Sequence, residues 1–470
     1  MVPQIPRQDV AALGRRLAGE VLVPGSAGYE SKRKLVSPRF QRIHPEAIAL
    51  CADSTDVAEV LAFAQESQLP LAVRSGGHSL AYLSVIDGAL VVDLSEMARV
   101  SIDPEARIAR VQPGTTSGDL AGPANAYGLA LSTGDTHSVG MGGLTTGGGI
   151  GFMVRKYGLA IDNLLSAQVV TAAGDILTAS AEEHSDLFWA IRGGGGNVGI
   201  VTEFIFRLAP VSQILGGELM LPASREVLRG YLDYAASAPD DLTTIANLIY
   251  APPAPHVPQE HVGKLVLSIL VSWTGDIAAG ERALAPLRAL AIPIADAVSP
   301  IPYPEIYRFT AHQAEPHAAS IRMMFADELS DEALDAALSA MEQASSPFSL
   351  IQFRGLGGAM ARIADDATAF AHRQRRYFVA VIGLWLDADE DAAVHEAWTA
   401  ALWRTIRHEG CGVYVNFLEV EGPDRVREAY PPATYARLAA IKWRYDPRNL
   451  FRFNQNVSPA PSHSLLTFAQ

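Results

Sequence analysis

Arg74-Ser75-Gly76-Gly77-His78-Ser79 joins a sharp backbone turn to a side chain with ring-nitrogen chemistry. Adjacent glycines let the chain fold back and aim successive N–H groups at one point, a nest that holds a phosphate without any lysine. A histidine one step past such a nest stands beside whatever the phosphate belongs to. Leu69-Pro70-Leu71-Ala72-Val73, just before it, reads as a buried strand that would present the turn at its end.

Two further glycine clusters follow. Gly140-Met141-Gly142-Gly143-Leu144-Thr145-Thr146-Gly147-Gly148-Gly149-Ile150-Gly151 embeds apolar residues among its glycines, unlike a serine-rich flexible linker, and suits close approach of backbone to a flat or anionic ligand. Gly193–Gly199 contains a literal GxGxxG from Gly194, but a helix precedes it (Phe188–Arg192) and a strand follows (Ile200–Phe204). A nicotinamide-binding turn needs the reverse order, so a nicotinamide dehydrogenase is disfavoured. No Gly-Lys-Ser/Thr follows any cluster, which excludes a P-loop. A ligand with a pyrophosphate and a large planar ring would use all three clusters.

The elements that must carry these loops can be read in outline. Ile48–Cys51, Leu71–Val73, Leu90–Leu94 and Ile108–Gln112 read as strands. Asp53-Ser54 reads as the cap of a helix with apolar Val57, Val60, Leu61 and Ala64 at helical spacing. Ala167–Ala172 and Ile176–Thr178 read as a hairpin, Ser185–Ile191 as a helix and Ile200–Leu208 as a strand. Beyond Pro210 the glycine clusters thin out. Strands Leu265–Trp273, Ser320–Phe325 and Tyr377–Trp385 alternate with helices Asp331–Gln343 and Asp391–Thr405, an antiparallel sheet backed by helices. Lys442–Val457 reads as a loop. The expected organisation is α+β: residues 1–210 (core 44–210), a second unit over 211–440, and a segment 441–470 that returns to the first.

A chain of 470 residues with 49% hydrophobic and 19% charged residues has room for two cores. Its net charge of -14 disfavours nucleic acid and anionic membranes as partners. Cys51 and Cys411 stand far apart, in no metal or redox spacing, so neither a disulfide nor a metal site is expected. The chain starts without an apolar leader region and holds no apolar run long enough to span a bilayer, which predicts a cytoplasmic protein.

Taken together, several segments resemble the FAD-linked oxidases of the vanillyl-alcohol oxidase superfamily, with its PCMH-type FAD-binding fold, in the berberine-bridge-enzyme-like branch. These segments are Arg74–His78, Val139–Gly151, Arg155–Leu159 with Asp162–Leu164, Asp186–Gly199, Tyr414-Val415-Asn416-Phe417, and Tyr445–Phe451 with Asn454-Gln455-Asn456. The resemblance runs from about residue 44 to the tail.

The resemblance implies a two-part FAD-binding domain and a substrate domain with an antiparallel sheet. It implies FAD joined covalently through His78 to the 8α-methyl of the flavin, with Arg74, Ser75, Gly76, Gly77 and Ser79 around the pyrophosphate. Many relatives add a second link through a cysteine; here Thr136 stands at that position in Gly134–Gly140, so one link is expected, and the adjacent His137 is one residue off the pattern. Val139 matches the oxygen-gate position, where a side chain of this size leans toward an oxidase. Further cofactor contacts are expected from Gly140, Gly142, Gly143, Thr146, Gly147, Gly148, Gly199, Val201 and Asn416. Asn454 and Asn456 would bond the ring or ribityl group, or else cap a turn.

The implied reaction is hydride removal from an alcohol, amine or related C–H donor, with O2 reduced to H2O2; the partners are then a small-molecule substrate and O2. A base must take the substrate's proton. Tyr414 is one candidate, although Phe417 replaces the motif's usual second tyrosine. Glu419 is another, placed on the Phe417 face if the segment is a strand, or else an ordinary surface carboxylate. His372 is the third, or else a packing residue. A dehydrogenase that passes electrons to another carrier, and a flavin-binding protein without turnover, stay open as alternatives.

Overall fold

The structure is a computed structural model that describes residues 7–387 and 389–461. The outer parts of the expected first and last units, residues 1–6 and 462–470, lie outside the described residues.

Three sheets carry the chain. The first contains β1 (Glu20–Leu22), β2 (Ala47–Leu50), β3 (Leu71–Arg74) and β4 (Leu90–Asp93) in the order β1-β2-β4-β3. Strands β2, β4 and β3 run parallel. Parallel strands need crossover connections, and helix Ser54–Glu66 carries the chain from β2 to β3, on either side of β4. The Asp53 side chain caps that helix by accepting from the Thr55 and Asp56 N–H groups. Its buried Val57, Val60, Leu61 and Ala64 pack on Ala47, Ala49, Leu71, Leu90 and Val92. The effect is to fix the C-terminal end of β3, where the Ser75–Ser79 turn begins.

The second sheet is antiparallel: β5 (Val100–Asp103), β6 (Ile108–Val111), β7 (Leu164–Val170), β8 (Ile176–Ser180) and β9 (Ile200–Arg207), ordered β5-β6-β9-β7-β8. The expected hairpin is β7–β8, and Ser185–Ile191 is helical as read from sequence. Between β6 and β7 the chain makes helix Met141–Gly147, built from the second glycine cluster.

The third sheet has nine strands: β10 (Gln213–Pro222), β11 (Leu242–Tyr250), β12 (Leu265–Trp273), β13 (Ala295–Asp296), β14 (Ser299–Pro302), β15 (Ala318–Ala326), β16 (Leu350–Gly355), β17 (Tyr377–Trp385) and β18 (Gly410–Cys411). Its order is β13-β10-β12-β11-β16-β17-β15-β18, with β14 beside β10. Side chains alternate between faces along each strand. Leu267, Ile269, Val271, Ile351, Phe353, Val379 and Val381 point to one face, under helices that include Arg225–Ser237, Asp331–Glu342 and Ala392–Ile406. Ser268, Leu270, Asn247, Gln352, Arg354 and Ile382 point to the other face, and all of them line a large cavity.

Two expectations need correction. Lys442–Tyr445 is not loop but the last turn of helix Pro432–Tyr445. Its Lys442 ammonium is held by the Phe451 carbonyl at 2.7 Å and by Asn456 Oδ1 at 2.8 Å, which satisfies a buried cation. The Tyr414–Glu419 segment is not a strand: Val415–Phe417 is a short 3-10 turn, closed by the Phe417 N–H donating to the Tyr414 carbonyl at 2.8 Å. Strand alternation therefore says nothing about where Glu419 points. Among the described residues, no helix is long and apolar enough to cross a membrane.

Candidate active site

A cavity of about 980 Å3 runs between the glycine loops and the open face of the third sheet. That is the upper end of the range for small-molecule and cofactor sites, about 300–1,000 Å3. Of the residues singled out in sequence, Ser75, Gly76, Gly77, His78, Ser79, Thr136, Val139, Gly140, Gly142, Gly143, Thr146, Gly199, Val201, Tyr414, Asn416 and Asn454 line it. Arg74, Gly147, Gly148, His372, Glu419 and Asn456 do not.

The first wall is backbone. A Cβ on Gly76 would sit 2.4 Å from the Gly140 nitrogen, so the two loops pack main chain on main chain. Gly77 turns the chain with φ of 73°. Among the described residues, no backbone bond takes up the N–H groups of Gly76, Gly77, His78 or Ser79. Unpaired N–H groups at a cavity wall are costly unless a ligand or water accepts from them. Arg74 stands behind the turn, 3.7 Å from Asp93, and its Nε and Nη1 are buried without a hydrogen-bond partner. The Asn454 Oδ1 and Tyr430 OH, in residues that line the cavity, are likewise buried and unpartnered. The free N–H groups suit an anionic group, and the free Asn454 oxygen and Tyr430 hydroxyl suit a polar one; FAD, with a pyrophosphate and a polar ring edge, fits that set.

His78 lines the same wall. Burial, helped by the nearby His317 and His137, pushes its imidazole down to about 4. It is therefore neutral at physiological pH, with a nitrogen lone pair available for bonding to carbon. Thr136, by contrast, is already engaged: its hydroxyl donates to Gln313 Oε1 at 2.6 Å.

The opposite wall comes from the third sheet and the Tyr414 turn. Tyr414 is buried, and its hydroxyl accepts from the Gly149 N–H at 2.9 Å and from Asn416 Nδ2 at 2.9 Å. Burial raises the phenol to about 12 despite these two donors. Asn416 reaches Leu144 O at 3.2 Å, and a Cβ on Gly147 would lie 2.1 Å from Asn416 Oδ1. Gly147 thus lets the turn settle on helix Met141–Gly147 without touching the cavity itself. Arg354 pairs with Asp135 at 2.6 Å and lies over the Phe378 and Phe417 rings at 4.7 and 5.2 Å.

His372 and Glu419 are held elsewhere. The His372 ring donates to the Glu428 carbonyl at 2.9 Å and packs beneath Gly412. Glu419 accepts from Arg322 at 2.6 Å and from the Ile321 N–H at 3.1 Å. Burial pushes its carboxyl up to about 7 although Arg322 opposes this. A carboxyl near 7 is poised for proton transfer, but this one is locked inside the wall. Since its folded value lies above the unfolded 4.5, its contribution to stability is lost as pH rises from about 4.5 to about 7. Glu419→Gln is expected to leave turnover within about twofold and to lessen the loss of melting temperature between about pH 5 and 8. Scanning calorimetry and steady-state rates check both, and a large loss of kcat would place Glu419 in the chemistry.

Sequence reading missed Glu218, Asn247, Gln352 and Arg354 as cavity residues. Each is a long polar or charged residue set among apolar neighbours in its strand, with Gln352 and Arg354 two apart in one strand, and that interruption of the apolar pattern is the signal available in sequence.

Comparison with known proteins agrees with this geometry. The family model described as "FAD binding domain" matches residues 45–180, and that described as "Berberine and berberine like" matches residues 413–458. The chain is 32% identical over 459 residues to the (R)-6-hydroxynicotine oxidase of Paenarthrobacter nicotinovorans, covering 95% of this chain and 98% of that protein. It is 30% identical over 452 residues to the xylooligosaccharide oxidase of Thermothelomyces thermophilus, covering 88% of each. The crystal structure of 6-hydroxy-D-nicotine oxidase from Arthrobacter nicotinovorans superposes with a TM-score of 0.83 at 28% identity, covering 94% of this chain and 98% of that one. A nest of free N–H groups facing a helix-backed antiparallel sheet, continuous with relatives along almost the whole chain, has one family reading: the chain belongs to the berberine-bridge-enzyme-like FAD-linked oxidoreductases.

Proposed function

We propose that this oxidoreductase is an oxidase with FAD held through a single covalent bond to His78, and that it removes hydride from an alcohol, amine or related C–H donor while O2 becomes H2O2. The observation that carries the reading is the half-buried His78 at a turn whose four backbone N–H groups, Gly76 to Ser79, are unpaired, in one cavity with the open sheet face. When bound, FAD supplies the hydride acceptor, N5 of its ring. Residues 1–210 and 441–470 hold it in this reading, and 211–440 roof it and shape the substrate space.

The chain's own residues divide the work. Backbone N–H groups of Gly76 to Ser79 bind the pyrophosphate, and Thr146, Asn416 and Asn454 contact the remaining polar edge. Tyr414, fixed by Gly149 and Asn416, orients the donor by hydrogen bonding. The apolar Ile245, Leu270, Ile321 and Ile382 exclude water from the substrate side.

The test is anaerobic bleaching of the visible flavin band by a panel of alcohols, sugars, amines and hydroxylated heterocycles, followed by admission of air. Bleaching with prompt recolouring and peroxide supports the oxidase; bleaching without recolouring selects a dehydrogenase. Val139 is half-buried and lines the cavity. Val139→Leu adds a methylene to that wall and is expected to slow recolouring by about tenfold, ~1.4 kcal/mol of barrier, with anaerobic bleaching unchanged. Stopped-flow absorbance separates the two phases, and equal slowing of both would show that Val139 does not gate oxygen.

A further inference from the structure

Across the open face of the third sheet runs a row of side chains whose two charged ends the proposed reaction does not use. Cross-strand partners in an antiparallel sheet point to the same side. Glu218 pairs with Leu270, Leu270 with Ile245, and Ile245 with Arg354, so these four make one row across β10, β12, β11 and β16. All four line the cavity. Three strand spacings separate the ends of the row, about 14 Å.

The two charged ends differ. The Arg354 guanidinium is neutralised by Asp135 at 2.6 Å and sits in the part of the cavity that Tyr414 and Phe417 line. The Glu218 carboxylate has no guanidinium or ammonium beside it among the described residues, only the His256 ring. His256 Nε2 lies 2.7 Å from its Oε2, and the Ser268 hydroxyl donates to its Oε1. Among the described residues, no lysine or arginine pairs with it, although its side chain is only 13% exposed. An ionised carboxylate offers about four acceptor sites, so two donors leave room for more. His312, whose imidazole burial pushes down, shares the field of Glu218 and lines the same cavity. The sequence carries a net charge of -14, which favours the approach of cations.

We propose that Glu218, with His256 and Ser268, forms a recognition subsite for a protonated nitrogen at the end of the substrate remote from the oxidised carbon. The substrate is then an elongated organic cation. Its reacting end lies by Tyr414 and Phe417, its apolar middle crosses Leu270 and Ile245, and its ammonium donates hydrogen bonds to Glu218. The proposal rests on the cofactor reading above for which end reacts.

The experiment is isothermal titration of the flavin-loaded protein with three probes of one shape: 4-phenylbutylamine as the ammonium, 4-phenyl-1-butanol and 4-phenylbutanoate. The ammonium is expected to bind about tenfold more tightly than the alcohol, as a charge-assisted hydrogen bond allows, and the carboxylate most weakly. Glu218→Gln should reduce ammonium affinity to that of the alcohol, and Glu218→Asp, which keeps the charge on a shorter arm, should restore part of the preference. Equal affinity for all three probes, no binding of the ammonium, or a preference that survives Glu218→Gln overturns the subsite. Flavin content, read from the absorbance of the same samples, separates the two ideas. A yellow protein without ammonium preference sinks the subsite alone, whereas a colourless protein that takes up no FAD sinks the cofactor reading.

Discussion

His78→Ala is expected to release all flavin into the supernatant when the protein is precipitated with acid, whereas the unsubstituted protein keeps its yellow colour on the polypeptide. An imidazolium has no lone pair to form a bond to carbon, and His78, pushed down to about 4 by burial, stays neutral across the physiological range. Reconstitution of the apoprotein with FAD should therefore build the covalent link from neutral pH down to about pH 5 and fail as the ring protonates near 4. Release from the alanine variant should be complete, because Thr136 carries a hydroxyl instead of a thiol and that hydroxyl is bound to Gln313 at 2.6 Å.

The variant should still bind FAD without the bond. The unpaired donors at Gly76, Gly77 and Ser79 belong to the backbone and survive the substitution. Activity should nonetheless fall about tenfold. An imidazolyl substituent withdraws electrons from the ring and raises its potential, and each ~30 mV of a two-electron couple is worth about a factor of ten in equilibrium. Mass spectrometry of the intact chain, acid precipitation and steady-state kinetics read the three parts. Flavin that stays attached to the alanine variant would assign the linkage to another residue.

The features legible in sequence were those whose chemistry lives in the backbone or in short-range order. The Gly76-Gly77 turn needs no distant partner to be recognised, and helix Ser54–Glu66 announces itself by the Asp53 cap and the spacing of Val57, Val60 and Leu61. The substrate side was less legible. Strands β10, β11 and β16 carry apolar residues on both faces, because one face packs under helices and the other lines a largely apolar cavity. Their period-2 signal is correspondingly faint. Glu218, Asn247, Gln352 and Arg354 are brought to one surface by the strand order β10-β12-β11-β16, which no local window contains. Glu419 shows the opposite failure: alternation was applied to a segment that turns instead of extending, so the carboxyl sits in the wall with Arg322 and not in the cavity. The same turn places Tyr414 at the cavity wall.

Tyr414→Phe should be damaging in two separable ways. The first is structural. The phenol oxygen accepts from the Gly149 N–H and from Asn416 Nδ2, each at 2.9 Å, and phenylalanine leaves both without that acceptor. Asn416 retains Leu144 O at 3.2 Å, whereas the buried Gly149 N–H has nothing else. An unsatisfied buried donor costs about 1–3 kcal/mol, so the variant should melt several degrees lower while keeping its flavin. The second effect is on the reaction. A phenol raised to about 12 holds its proton at any working pH, so in the proposed reaction Tyr414 would donate a hydrogen bond to the substrate and would not serve as a base that is already ionised. Loss of one such preorganised donor typically costs about 10²–10³ in kcat. The pH–rate profile should keep its shape, since no group titrating below about 12 has been removed. A profile that loses a limb between about pH 6 and 10 would instead mean that Tyr414 ionises during turnover. Full activity in a variant with lowered stability would confine Tyr414 to holding Gly149 and Asn416 in place. Stopped-flow rates of anaerobic bleaching, measured across pH on both proteins, distinguish these outcomes because they isolate the step in which the donor loses its hydride.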